Sequence, residues 1–174
     1  MKPKGRIKLF MNRIIITAIG VDRPGLVNKI TSIINQNNGN IENSKMIKIE
    51  NQFAIIMDFS TTVSIDNIKK KLELINDLEI YYKYIKQTKN IEKPISKYLI
   101  KGSDDQGIVE TISNYFKNQN LNIIEIDTFI ESAPITGSPL FNLKVTVEKN
   151  SAINLEKVNK DLLEICKQLN LTLS

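Results

Sequence analysis

The apolar positions of this chain fall into short clusters that switch between two periods. Residues 13–19 (RIIITAI) form an apolar run that reads as a strand. Its apolar residues do not alternate cleanly, so both of its faces are expected to be largely covered. Leu26, Ile30, Ile33 and Ile34 then recur at the spacing of one helical face. Pro24 is tolerated only in a first helical turn, which fixes where that helix begins. Asn37-Asn38-Gly39 ends it, with Gly39 suited to the left-handed C-terminal position. Residues 40–50 and 53–60 read as two strands joined by a turn near Asn51-Gln52. Ile65, Ile68, Leu72 and Ile75 give a second helix, and residues 80–86 (IYYKYIK) a fourth strand. The order is βαββαβ.

That order then recurs. Residues 97–101 are a strand, and Ile108, Ile112, Tyr115 and Phe116 reproduce the first helical spacing. Residues 121–131 and 140–148 are strands; Leu155, Val158, Leu162 and Ile165 repeat the second helix; residues 171–173 close the set. The second copy is longer because its middle strands are joined by residues 132–139. The predicted fold class is α+β: two ferredoxin-like βαββαβ modules, each an antiparallel sheet with both helices on one face. The expected division is a basic N-terminal extension over residues 1–12, a first module over 13–86, a polar linker containing Pro94 over 87–96, and a second module over 97–174. Modules of about 80 residues fold alone only marginally. The helix-free sheet face also needs a cover or stays wet, so pairing of modules or chains, and hence a homodimer, is expected.

One octapeptide pattern, Gly-x-Asp-x-x-Gly-[Leu/Ile]-Val, occurs at each strand-to-helix turn. The copies are Gly20-Val21-Asp22-Arg23-Pro24-Gly25-Leu26-Val27 and Gly102-Ser103-Asp104-Asp105-Gln106-Gly107-Ile108-Val109. Glycine in a first helical turn lets a ligand approach the backbone. Free N–H groups at a helix N-terminus attract a carboxylate, and a neighbouring aspartate can receive an ammonium. Together they suit the two charged ends of an α-amino acid. Asn40 and Asn122 follow the aspartates by 18 residues and are expected to flank the same pockets. The candidate ligand-binding residues are therefore Asp22, Arg23, Gly25, Leu26 and Asn40, with Asp104, Gly107, Ile108 and Asn122 in the second copy. The competing assignment is equally open: the aspartates cap their helices and the asparagines serve turns. Nucleotide binding is rejected, because a carboxylate stands where a pyrophosphate would lie and the parallel βαβ context is missing.

Composition narrows the rest. The net charge of +5 comes from Lys2, Lys4, Arg6, Lys8 and Arg13, and the remaining chain balances its charges. No basic face is evident, so direct nucleic-acid binding is not expected. Met11 offers an alternative start, which would leave residues 1–10 as an unstructured extension. No apolar run is long enough for a membrane span. Histidine is absent, which removes the commonest general base and metal ligand. No catalytic residue, metal site or cofactor is expected. The lone Cys166 sits at an apolar helical position and reads as a buried hydrophobe. Cysteine poverty and the lack of a targeting segment suggest a cytoplasmic protein.

Asp22-Arg23-Pro24-Gly25-Leu26-Val27 with Gly39-Asn40-Ile41 resembles the ACT domain, a ferredoxin-like module that senses amino acids. Asp104-Asp105-Gln106-Gly107-Ile108-Val109 with Leu121-Asn122-Ile123 resembles it again. Two such modules and no other domain resemble the glycine cleavage system transcriptional repressor family. The stretch Ala133-Pro134-Ile135-Thr136-Gly137-Ser138-Pro139-Leu140-Phe141 is similar to one in that family's second module. The resemblance implies a non-enzymatic protein that responds to a small amino acid such as glycine and contacts a transcriptional activator or other regulatory protein. It also implies side-by-side pairing of modules with ligand near the first turn. Gln106 in place of Pro24, and the extra Asp105, depart from the first copy. A second carboxylate disfavours an anion nearby, so the first site is the stronger expectation. Alternatives are an ACT-type assembly module without a ligand, and a remnant of a folate-deformylating enzyme, whose family carries a similar N-terminal unit. No nucleophile–base pair supports the latter.

Overall fold

A computed structural model of the protein describes residues 12–85, 93–133, 137–149 and 153–174. Residues 1–11 of the extension expected over 1–12, most of the linker and part of the 132–139 connection lie outside them, and Asn12 already belongs to the first strand. The chain divides into two compact units, residues 1–89 and 90–174. The first contains β1 (Asn12–Val21), α1 (Leu26–Gln36), β2 (Gly39–Ile49), β3 (Gln52–Thr61), α2 (Ile65–Leu72) and β4 (Leu78–Ile85). The second contains β5 (Ile95–Gly102), α3 (Ile108–Asn118), β6 (Asn122–Ser132), β7 (Pro139–Glu148), α4 (Leu155–Gln168) and β8 (Leu171–Leu173). The antiparallel sheets have the orders β2-β3-β1-β4 and β6-β7-β5-β8, as the repeated βαββαβ pattern predicts. Ile95 and Ser96, expected in the linker, already belong to β5.

In each unit the helices cover one sheet face. Ile14, Ile16 and Ala18 on β1 and Phe53, Ile55, Met57 and Phe59 on β3 meet Leu26, Ile30 and Ile34 of α1 and Ile65, Ile68 and Leu72 of α2 in one core. The second core is built alike around Ile100, Leu143, Val145, Phe116 and Leu162. Cys166 is buried within it, and burial pushes its thiol up. The expectation that β1 is covered on both faces is corrected. Its burial alternates, and Ile19 and Val21 on the helix-free side are 42% and 47% exposed.

The turns also differ in detail from the pattern. Leu26, not Pro24, opens α1, so Pro24 lies in the preceding turn. The left-handed residue after α1 is Asn38 (φ 52), not Gly39. Asp77, Asn120 and Asn170 close the other helix-to-strand turns in the same conformation (φ 59, 55 and 54). Asn and Asp tolerate it better than other residues with a side chain. Gly39 answers a different constraint: a Cβ there would lie 2.5 Å from the Ile34 side chain and 2.8 Å from its carbonyl oxygen. Gly20 is held likewise, since a Cβ would sit 2.1 Å from the Asp77 carbonyl oxygen.

The helix-free face of the first unit carries an ion pair at one end. Arg13 on β1 donates from Nε to both Asp58 oxygens at 3.0 and 3.1 Å, and Nη2 adds a further bond. Those bonds, with the guanidinium charge, hold the Asp58 carboxyl below its ordinary value.

Two outcomes are expected from this packing. Asp58→Asn lowers stability at neutral pH by about 1 kcal/mol, read by denaturant unfolding. Because the folded-state pKa is depressed, the contribution is complete above the ordinary carboxyl value of 3.8 and is lost as pH falls through the folded-state value. The gap between the two proteins then closes. Gly20→Ala costs about 2 kcal/mol, since backbone must move to admit the methyl. Gly102→Ala costs less in the same assay, because its nearest obstacle is the end of the Leu171 side chain at 2.4 Å.

Candidate functional site

The four helices begin in two different ways. In α2 the Ser64 hydroxyl accepts from the Asp66 N–H, and in α4 the Asn154 side chain accepts from the Lys157 N–H at 3.1 Å. Both are side-chain caps of the ordinary kind. In α1 and α3 the N-cap is Gly25 (φ 85) and Gly107 (φ 84), with no side-chain cap bond. Neither Asp22 nor Asp104 therefore caps its helix. The left-handed glycine turns the chain into the helix without bringing an acceptor to its end. The Leu26 N–H reaches the Arg23 carbonyl at 3.3 Å, and the Lys29 N–H returns to Gly25 at 2.9 Å. The Val27 and Asn28 N–H groups belong to the part of a helix that has no intrahelical acceptor. A Cβ built on Gly25 or Gly107 would meet nothing within 4 Å. The space above both turns is open, and these glycines are required by φ rather than by a close neighbour. Leu26 and Ile108, each 3% exposed, point into the cores and contribute only backbone to the turns.

The two entrances differ in their charges. At the first, the Asp22 N–H donates to the Asn51 carbonyl at 2.8 Å, which ties the turn to the β2–β3 hairpin. The Asp22 carboxylate pairs with Lys48 Nζ of β2 at 2.8 Å. Arg23 donates to the Asn76 carbonyl and pairs with Asp77 at 3.4 Å, so it anchors the entrance to the turn before β4. Sequence reasoning missed Lys48. Its only signal is its place two residues before the hairpin turn that Asp22 leans on. At the second entrance Asp104 and Asp105 are exposed, and among the described residues neither has an ion-pair partner. Lys101 pairs instead with Glu131 at 3.2 Å.

The asparagines are not at the entrances of their own modules. Asn40 is in register with Ser60, and Ser60 with Arg13, at the start of β1. Asp22 follows the end of the same strand. Eight residues of extended chain separate the two ends, about 27 Å. Asn122 is in register with Glu148, and Glu148 with Ile95, so it too lies at the far end from Asp104. The expectation of one pocket within each module, joining aspartate, glycine and asparagine, is corrected. The reason is strand direction: α1 carries the chain back, so β2 starts beside the start of β1. Asn40 donates instead to Glu42 at 3.1 Å, and Ser60 donates to the same carboxylate oxygen at 2.7 Å. The Ser60 bond and then the Asn40 bond hold that carboxyl below its usual range.

Among the described residues no helix is long and apolar enough to cross a membrane. A model of the ACT domain matches residues 12–80. A glycine cleavage system transcriptional repressor of Escherichia coli (strain K12) is 25% identical over 162 residues, 90% of this chain and 85% of that protein. A UPF0237 protein of Methanopyrus kandleri is 36% identical over 66 residues, 36% of this chain and 73% of the relative. A solved structure of an unknown protein from Galdieria sulphuraria shares the fold with a TM-score of 0.82 at 21% identity, covering 95% of this chain and 97% of that one. The chain belongs to the ACT-domain family, as a tandem pair of ACT modules that resembles the glycine cleavage system transcriptional repressors.

Proposed function

We propose that this protein is a non-enzymatic, amino-acid-responsive regulator, linked to glycine and acting through contact with a transcriptional activator or other regulatory protein. One observation carries the reading: of the two helices in each module, the second is closed by a side-chain cap and the first is left bare behind a left-handed glycine. Uncapped N–H groups with the positive end of a helix dipole suit a carboxylate. Asp22, two residues past Gly20, suits the ammonium of the same molecule. Gly25 leaves the approach clear. The relative named for repression of the glycine cleavage system supports glycine as the first ligand to try.

Asn40 and Asn122 retain a place in this reading only across an interface. β2 is an edge strand exposed along almost its whole length. A two-fold pairing of β2 edges from two copies reverses one module against the other. Asn40 of one copy then comes to the Asp22 end of its partner, and the expected homodimer would complete the site. Ligand would bias this pairing through its different affinity for the paired and unpaired states, and so alter the surface offered to a partner protein.

The Asp22–Lys48 pair favours a second reading, an assembly module without a small ligand, because Lys48 already supplies a cation to the carboxylate. Calorimetric titration of the full chain separates the two. The sensor reading expects saturable binding of glycine or another small amino acid and its loss in Asp22→Ala. It expects Lys48→Met to tighten binding by up to about fivefold, because an exposed pair is worth at most about 1 kcal/mol. Absence of binding by every amino acid tested at millimolar concentration, in both the wild type and Lys48→Met, leaves the assembly reading alone.

A further inference from the structure

The two modules share a fold but not the chemistry of the helix-free face. Gly20 is in register with Phe53, and Gly102 with Phe141, which fixes the correspondence between the sheets. On that correspondence Ile15, Ile19 and Ile56 of the first module stand where the second has Lys97, Lys101 and Lys144. All three isoleucines lie opposite the buried residues of their strands. Ile19 and Ile56 are 42% and 50% exposed, and Ile47, Ile49 and Tyr81 extend the apolar patch onto β2 and β4. A hollow of about 250 Å³ beside Ile15 and Ile56 gives the patch relief. The second module's face also carries Glu125, Asp127 and Glu131 on β6, with Asp127 in register with Lys144 and Glu131 paired with Lys101. One duplicated surface has thus become apolar and the other charged.

We propose that the helix-free face of the first module docks against the same face of a second copy of this chain. A two-fold contact sets each central residue against its own copy. The centre of this face is the register pair Thr17–Ile56, which carries no charge. The charges nearby are Arg13 and Asp58, which neutralise each other, and Lys45, Lys83 and Glu79 on the outer strands. The second module cannot form this contact with itself, because Lys144 at the same place would meet Lys144. Size agrees. Ten residues of β1 across four strands project about 600 Å² at ordinary strand spacings, and side-chain relief brings that close to the roughly 800 Å² per partner of a stable interface. Two such sheets stack about 10 Å apart with their side chains interleaved. This surface is the face of the sheet and uses neither the helix entrances nor the backbone edge of β2, so the proposal does not rest on amino-acid binding.

Sedimentation equilibrium of the full chain tests it, with Ile56→Lys, Ile19→Lys and the control Leu74→Lys at matched concentration. Lysine at the first two positions copies residues the second module already accommodates, and circular dichroism verifies that each variant is folded. Leu74 is 79% exposed and off the sheet. The expected result is an assembly mass halved by Ile56→Lys and by Ile19→Lys and unchanged by Leu74→Lys. Equal masses for the wild type and Ile56→Lys overturn the proposal, whether both are single chains (the face covered within one chain or kept for another protein) or both are assembled through a different surface.

Discussion

A sheet that receives helices on one side only has two surfaces with opposite requirements, and this constraint organises both modules. On the covered side, alternate residues of β1 and β3 must be apolar to meet α1 and α2, and they are buried accordingly. On the other side nothing within the module dictates polarity, so residues there are free to diverge after duplication. Divergence is what the registers show: isoleucine at three positions of one module, lysine at the same three of the other. The helix-covered positions kept their apolar character, as a packed interior demands.

The same constraint sets where ligand chemistry can reside. Both helices of a module pack one side on the sheet, and the backbone groups they leave without an intrahelical partner lie only at their ends. α2 and α4 close their N-terminal ends with Ser64 and Asn154. α1 and α3 leave theirs open, because the left-handed Gly25 and Gly107 steer the chain away from the helix axis. The entrances then differ electrically. Lys48 neutralises Asp22 at the first, whereas at the second Asp104 and Asp105 have no ion-pair partner among the described residues. The first is near balance and the second adds negative charge beside the helix end. An anionic group meets less repulsion at the first entrance, while an ammonium must displace Lys48 there.

Much of this was legible in the sequence. Helical and strand periodicities, with the repeated octapeptide, give the element order, the fold class and the glycine turns, because these depend on neighbours close in the chain. The left-handed residue after α1 was misplaced by one position, since Asn38 and Gly39 both fit a left-handed turn by type. What excludes Asn38→Gly39 exchange is the contact with Ile34, which spacing does not reveal. The run at residues 13–19 reads as buried on both sides because an exposed apolar face and a covered one have the same composition. The supposed meeting of Asp22 with Asn40 failed for another reason. A separation of 18 residues says nothing about direction, and α1 returns the chain to the opposite end of the sheet. Lys48 was invisible for a similar cause: its contact with Asp22 depends on the β2–β3 hairpin folding beside the first turn.

The central claim is that the bare end of α1 receives the carboxylate of an amino acid. Proton–nitrogen correlation spectra of the full chain, recorded as glycine is added, test it most directly because each backbone amide reports for itself. The account predicts saturable shifts centred on the Gly25, Leu26, Val27 and Asn28 amides, with the α2 amides near the Ser64 cap unmoved. Saturable shifts elsewhere that leave those four amides in place would contradict it.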